Sequence, residues 1–319
     1  MNHARHVVPA LAGRVPRSRL KAGLQTNAGS WEVGIAASAA IRKNPGMDES
    51  ARLYLDLLKK CLTFALWEET LLMPFDTAKA SAPGDLVEFD MGLRKLGYCL
   101  AREFPYRREI AWEGEGITYL GYTMIGMKRL ANFQECIERA IEENTPGDIL
   151  ETGVWRGGAC ILARAVPKVR RVCERKVWLA DSFQGLPPPN AEKYPLDQGD
   201  DLYLNPFLRV PVEVVQENFR RFGLLDDQVC FLKGWFKDTL PTAPVDRLCV
   251  LRLDGDLYES TLDALTALYD KVSINGFVII DDYDGKGCRQ AVTDFRHTRG
   301  IRDEIIPIDQ HGAFWRRTR

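Results

Sequence analysis

The sequence predicts an α/β fold built on a mostly parallel sheet, and three observations predict it. From Asp148 onward, short apolar runs alternate with amphipathic helical runs, the pattern of strands joined by crossover helices. The first run, 149–151, breaks on Gly153, Gly157 and Gly158 and passes at once into a helical stretch, 160–166. The chain closes on two short segments, 305–308 and 313–316, that read as a terminal antiparallel pair.

The elements follow in order. Residues 1–46 form a basic leader with Arg5, Arg14, Arg17, Arg19 and Lys21 ahead of a break at Pro45-Gly46, and the expectation is a flexible tail. Residues 47–146 read as a helical N-terminal region. Leu53, Leu57, Cys61 and Phe64 share one helical face there, and Leu55, Leu58 and Leu62 widen it toward a core. The stretch from Thr70 to Asp85, broken by Pro74 and Pro83, reads as a loop able to cover a site. A second helix is expected over 122–141, ended by Pro146-Gly147.

Residues 147–319 carry the sheet. Strands are expected at 177–180, 229–233, 248–253 and 277–280, with helices at 212–222, 260–272 (capped by Ser260) and 289–299. A long insertion, 184–211, holds Pro187-Pro188-Pro189 and the acids Asp197, Asp200 and Asp201. A loop of this length is more often a lid or binding element than filler.

Bulk properties remove several classes of function. Forty-three basic and 44 acidic residues leave a net charge of −1, which argues against nucleic acid as the main partner. No stretch is apolar enough to span a bilayer, and no signal-peptide core is present. The eight cysteines form no C-x-x-C pair and read as buried free thiols of a reducing, cytoplasmic compartment.

In an open parallel sheet, ligands sit beyond the C-terminal ends of the strands. The residues at those ends are Glu151, Asp181, Asp254, Asp281 and Asp282. The glycine turn lets backbone N–H groups and a helix N-terminus approach a ligand. Its spacing, G-x-x-x-G-G, is neither the dinucleotide fingerprint nor a P-loop. An acid at the turn would repel a pyrophosphate but suits S-adenosylmethionine, which carries a sulfonium, an ammonium and a ribose. Asp181 is placed to accept hydrogen bonds from ribose hydroxyls. If the strands ending at Leu253 and Ile280 are neighbours, their tips lie about 5 Å apart. Asp254, Asp281 and Asp282 would then invite Mg²⁺, a hard cation that takes oxygen ligands. A metal lowers the pKa of a bound hydroxyl, so the absence of a well-placed histidine does not matter: His3, His6, His297 and His311 read as surface or packing residues.

These residues resemble the macrocin O-methyltransferase family, bacterial enzymes that methylate sugar hydroxyls on macrolides and related natural products. The matching segments are Thr123-Met-Ile-Gly126, Glu151-Thr-Gly-Val-Trp-Arg-Gly-Gly158, Asp181-Ser-Phe-Gln-Gly-Leu-Pro187, Gly234-Trp-Phe-Lys-Asp-Thr-Leu-Pro241, Leu253-Asp-Gly-Asp-Leu-Tyr-Glu-Ser-Thr261 and Ile280-Asp-Asp-Tyr283. The resemblance runs from about Leu53 to Trp315, and the leader lies outside it. It implies a class I methyltransferase (Rossmann-like) sheet with an N-terminal helical lid. Donor binding is implied at Glu151, Thr152, Gly153, Val154, Trp155, Gly157, Asp181, Ser182, Phe183, Gly234 and Trp235, with Thr123 and Met124 approaching from the lid. Mg²⁺ at Asp254, Asp281 and Asp282, with Asp254 as catalytic base, is implied too. The expected partner is a small glycosylated molecule, and the expected assembly is a homo-oligomer, a dimer or larger. The main competing reading is a metal-dependent nucleotide-sugar transferase using Asp254-Gly-Asp256 as a D-x-D motif. A dehydrogenase using NAD fits the glycine spacing poorly, and a binding module without chemistry has no need of so many strand-end acids.

Overall fold

The computed structural model describes residues 48–67, 71–74, 84–104, 112–114 and 120–319, with only the backbone for 71–74 and 102–104. The expected leader lies outside them, as does most of the expected loop between Thr70 and Asp85. Among the described residues the first elements are α1 (Glu49–Leu62), β1 (Leu71–Pro74), α2 (Gly84–Lys95) and β2 (Ala101–Phe104). β1 and β2 pair antiparallel, so the first four residues of the expected loop after Thr70 are a strand.

Then come α3 (Met127–Glu142), β3 (Asp148–Thr152), α4 (Gly158–Val169), β4 (Val177–Asp181), α5 (Val212–Arg221) and β5 (Val229–Lys233). A short α6 (Phe236–Thr239), β6 (Leu248–Leu253), α7 (Tyr258–Leu268), β7 (Val272–Ile280), α8 (Lys286–Thr298), β8 (Ile306–Pro307) and β9 (Ala313–Arg316) complete the chain. The sheet runs β5-β4-β3-β6-β7-β9-β8. It is parallel from β5 to β7 and ends in the antiparallel β9 and β8. The expected α/β fold, with its antiparallel terminal pair, is therefore what the chain adopts.

The central strands are buried on both faces, so they read as nearly continuous apolar runs. Their side chains still alternate. Ile149, Val250, Phe277 and Ile279 join one core with α1, α3 and α4. Leu150, Leu251, Val278 and Ile280 join a second with α7 and α8. Strand order reverses between β4 and β6 around β3, which puts the ligand crevice at the tips of β3 and β6.

Three local expectations are corrected. On α1, Leu55, Leu58 and Leu62 are buried, but Leu53 and Leu57 are 65% and 51% exposed. The stripe chosen from spacing was one position off the face that meets α4. The second helix begins at Met127, after an extended Gly126. Residues 122–126 therefore stay outside the helix and lie against the glycine turn, where Gly158 N–H donates to the Tyr122 carbonyl at 2.9 Å. Ser260 is not a cap, because α7 starts two residues earlier. The orphan amides of its first turn are met from another part of the chain, by Asp197, which accepts from Tyr258 N–H at 2.7 Å and Glu259 N–H at 3.1 Å. The cysteines are free as expected, but Cys99 and Cys173 are exposed rather than buried.

Candidate active site at the strand tips

The tip of β3 requires its glycine. Gly153 has φ +77°, and a Cβ there would lie 1.6 Å from the Asp254 carbonyl oxygen. No other residue lets the β3 and β6 tips come this close. Gly157 begins α4 in the left-handed region at φ 87°. A Cβ on Gly158 would sit 2.5 Å from the Tyr122 carbonyl. The turn is thus a packed junction of β3, α4 and the 122–126 segment. Three non-glycine residues around it also hold positive φ: Trp155 at 46°, Phe183 at 56° and Asp256 at 57°. Strain of this kind persists where the surroundings fix the backbone, often at functional sites.

Asp181, at the tip of β4, organises the turn. One oxygen accepts from Val154 N–H at 2.7 Å and Trp155 N–H at 3.4 Å, and the other from Phe183 N–H at 2.6 Å. Asp181 also lines the cavity, so the residue both shapes the loop and borders the space a ligand would fill. Ser182 is turned inward, its hydroxyl donating to the Gly185 carbonyl at 2.6 Å and accepting from Gln184 N–H at 2.9 Å. Trp155 Nε1–H donates to the Phe207 carbonyl at 2.9 Å, tying the turn to the long insertion.

A cavity of about 430 Å³ opens here. Gly153, Asp181, Ser182, Trp155 and Met124 line it. Trp235 and Lys237 beside α6, Pro187 and Pro188 of the insertion, and Glu259 and Asp263 of α7 line it too. Asp254, Gly255 and Asp256 complete the lining. Of the expected donor residues, Gly153, Trp155, Asp181, Ser182, Trp235 and Met124 meet at this cavity. Others are close but not on its wall. Val154 and Phe183 are buried in the core, Gly157 packs against Val215, and Gly234 shapes the approach to Trp235, its N–H donating to the Asp181 carbonyl at 2.9 Å. Thr123 packs beside Gly158. Thr152 is buried, and its hydroxyl finds no hydrogen-bond partner among the described residues.

Glu151 is the clear departure. Its carboxylate is buried behind the cavity, bonded to Arg252 and accepting from Cys160 Sγ–H at 2.6 Å. It does not line the cavity. A buried guanidinium needs carboxylate partners, and Arg252, 1% exposed in its side chain, claims this one. Arg252 also bonds Asp254 at 3.0 Å and Asp281. Arg129 of α3 reaches the other oxygen of Asp281 at 2.5 Å and Asp309 at 3.1 Å.

Among the acids expected to hold a metal, β6–β7 pairing sets Asp254 and Asp281 level, with Asp281 N–H on the Leu253 carbonyl at 2.8 Å. The carboxylates that converge, with ligand oxygens all within 4.8 Å, are Asp254, Asp256 and Asp282. Asp281 meets them from behind, each oxygen carrying one arginine N–H and keeping one lone pair. Burial alone would raise its pKa, but Arg252 and Arg129 hold it below the usual carboxylate range. Burial, then the charges of Asp281 and Asp282, push Asp254 well above that range. Burial, then Asp256 and Asp281, do the same to Asp282. Asp256 is raised to about 7 by burial and then by Asp254. Six carboxylates (Glu151, Asp254, Asp256, Asp281, Asp282 and Asp309) thus face two guanidiniums. An oxygen donor set whose carboxylates outnumber their guanidinium partners, so that a cation is needed to keep them ionised, fits a hard divalent cation.

Sequence reasoning gave Asp256 only to the rival D-x-D reading, and it missed Arg252, Arg129 and Asp197. Arg252 had a usable signal: a cation inside an apolar six-residue strand must find buried acids. Arg129 and Asp197 had none, because their partners lie 152 and 61 residues away. His297 is exposed, and His311 pairs with Asp284 at 2.8 Å; neither lines the cavity.

The macrocin-O-methyltransferase (TylF) family profile matches residues 51–317. A mycinamicin III 3''-O-methyltransferase of Micromonospora griseorubida is 51% identical over 222 residues, 69% of this chain and 87% of that protein. A demethyldecarbamoylnovobiocin O-methyltransferase of Streptomyces niveus is 46% identical over 274 residues, covering 85% and 96%. The solved structure of the O-methyltransferase NovP superposes with a TM-score of 0.72 at 46% identity, over 84% of this chain and all of that one. The competing nucleotide-sugar transferase reading gains nothing from these matches. The chain belongs to the macrocin-O-methyltransferase family, and it is an O-methyltransferase.

Proposed function

We propose that this family member transfers the methyl group of S-adenosylmethionine to a hydroxyl on the sugar of a small glycosylated natural product, with Mg²⁺ at the strand tips. The single observation that carries the reading is the shared cavity: the Gly153–Asp181 junction lines the same space as Asp254 and Asp256, two of the three acids that converge with Asp282. A relative 47% identical over 274 residues is named for a rhamnosyl-bearing acceptor, 8-demethyl-8-(2,3-dimethoxy-alpha-L-rhamnosyl)-tetracenomycin-C, and this supports a sugar-bearing acceptor.

In this reading Gly153 and the Asp181 carboxylate receive the nucleoside, and Trp155, Trp235 and Met124 enclose it. Asp254, Asp256 and Asp282 would hold the metal, with Asp281 held behind them by Arg129 and Arg252. The metal, when bound, would lower the pKa of the acceptor hydroxyl and orient it. The hydroxyl oxygen bonds the methyl carbon as the carbon–sulfur bond breaks, and its proton passes to Asp254 as general base. Arg129 and Arg252 keep Asp281 ionised and fixed, as partners behind metal ligands do. The helical region 47–146 serves as the lid, with the catalytic domain at 147–319 and the leader at 1–46. Assembly as a homo-oligomer belongs to the same proposal and is supported by exposed Leu53, Leu57, Phe89 and Met91; light scattering tests it.

Calorimetry with S-adenosylhomocysteine, with and without Mg²⁺, against a nucleotide sugar and NAD in parallel, tests the reading. Micromolar binding of S-adenosylhomocysteine alone among the three nucleotides is expected. Binding of the nucleotide sugar instead would sink the donor assignment.

A further inference from the structure

The insertion between β4 and α5 walls the cavity, and one buried acid fastens it. Asp197 is 3% exposed. It ends a short 3₁₀ turn, Pro195–Asp197, and its two oxygens accept separately from the amides of Tyr258 and Glu259 in the first turn of α7. Those amides would otherwise lack partners, and the positive end of the helix favours a carboxylate. The niche is closed on the far side by α8. A Cβ on Gly287 would lie 2.8 Å from Asp197 Oδ1 and 3.2 Å from Tyr258 N. The Tyr194 and Tyr258 rings meet at 5.4 Å, and Tyr258 Oη–H donates to Asp294 of α8 at 2.9 Å.

This joint links two segments that line the cavity. Asp197 lies nine residues beyond Pro188, which lines the cavity from the insertion, and it binds the amide of Glu259, which lines the cavity from α7. The other end of the insertion is tied through the Phe207 carbonyl to Trp155 of the glycine turn. We infer that Asp197 is a positioning residue: it sets the spacing between the insertion wall and the α7 wall, and through that spacing the affinity for the ligand between them. The inference rests on the cavity being the donor site.

The test uses the whole chain, S-adenosylhomocysteine as the probe, and three variants. Asp197→Ala removes the joint. Gly287→Ala keeps the carboxylate but crowds it, at a helix position where alanine is otherwise favourable. Asp197→Asn keeps one accepting oxygen. The expected result is roughly tenfold weaker binding in both alanine variants and an intermediate loss in Asp197→Asn, in line with loss of a buried cap. Hydrogen exchange should speed at residues 190–204 and in the first turn of α7, with the amides of β3 and β6 unchanged. Unchanged affinity in the alanine variants overturns the inference, as does exchange that speeds equally through the sheet. Failure of the wild-type protein to bind the probe would instead remove the donor reading, and this inference with it.

Discussion

Asp281 and Asp282 are neighbours in the chain and opposites in electrostatics. Asp281 looks back into the protein, where Arg252 and Arg129 grip both of its oxygens. Asp282 looks forward, where its one bonded oxygen meets only the amides of Gly255 and Asp256, at 3.2 and 2.9 Å. The same division runs through the acids around the tips of β3, β6 and β7. Glu151, Asp281 and Asp309 form a paired region behind the tips, and Asp254, Asp256 and Asp282 an unpaired region in front. Asp254 joins the two, with 27% of its side chain accessible and one arginine contact. Paired acids in a protein interior hold strands and helices together. Acids brought together without cations are costly to keep ionised, and in the proposed reading a bound cation supplies the missing charge.

The sharpest way to break this comparison is Asp254→Asn. The amide still accepts from Arg252, so folding stability in metal-free buffer should hold, while kcat falls by about 10²–10⁴ through loss of the base. Full turnover in that variant, measured with a glycosylated acceptor, would remove the front region's role. Arg252→Met strikes the other region. It leaves Glu151 and Asp281 buried beside a lost partner, and urea unfolding should show a loss of about 3–5 kcal/mol. A loss below 1 kcal/mol would mean the paired region does not hold the tips together.

Magnesium should act on the front region alone. At a hundred times its Kd it adds about 2.7 kcal/mol to the wild-type protein, read as a rise in Tm, and adds nothing to Asp282→Asn. An equal rise in both would place the ion elsewhere. The smallest effect belongs to a paired acid far from the tips, Asp226, which Arg164 meets at 2.7 Å. Its pKa is lowered, first by the Arg164 hydrogen bond. A lowered folded-state pKa gives stability that is present above the unfolded value of about 4. That stability is lost as pH falls through the folded value. Asp226→Asn should therefore reduce stability by at most about 1 kcal/mol at pH 7, with the difference from wild type vanishing in acid. A difference that persists below the folded value would refute the ion-pair account.

The order of strands and helices was legible from residue periodicity because each element carries its own pattern. The glycine turn and the acids closing β4, β6 and β7 were legible for the same reason: a polar residue directly after a buried strand has few other places to be. Leu53 and Leu57 misled because helical spacing allows two overlapping faces, and only packing against α4 chose between them. Ser260 misled because a cap can be supplied by a residue 61 positions away.

What the sequence determined by itself was local and periodic: the run of elements, the glycine positions that permit close approach, and the set of acids available at the strand tips. What the tertiary structure decided was how those acids are shared out. Charges interact through space over a few ångströms, and the buried guanidiniums of Arg129 and Arg252 reach their acids only after α3, β6 and β7 have packed. Until then Glu151, Asp254, Asp281 and Asp282 are equivalent strand-end carboxylates, and nothing in their spacing says which will be neutralised and which left to bind.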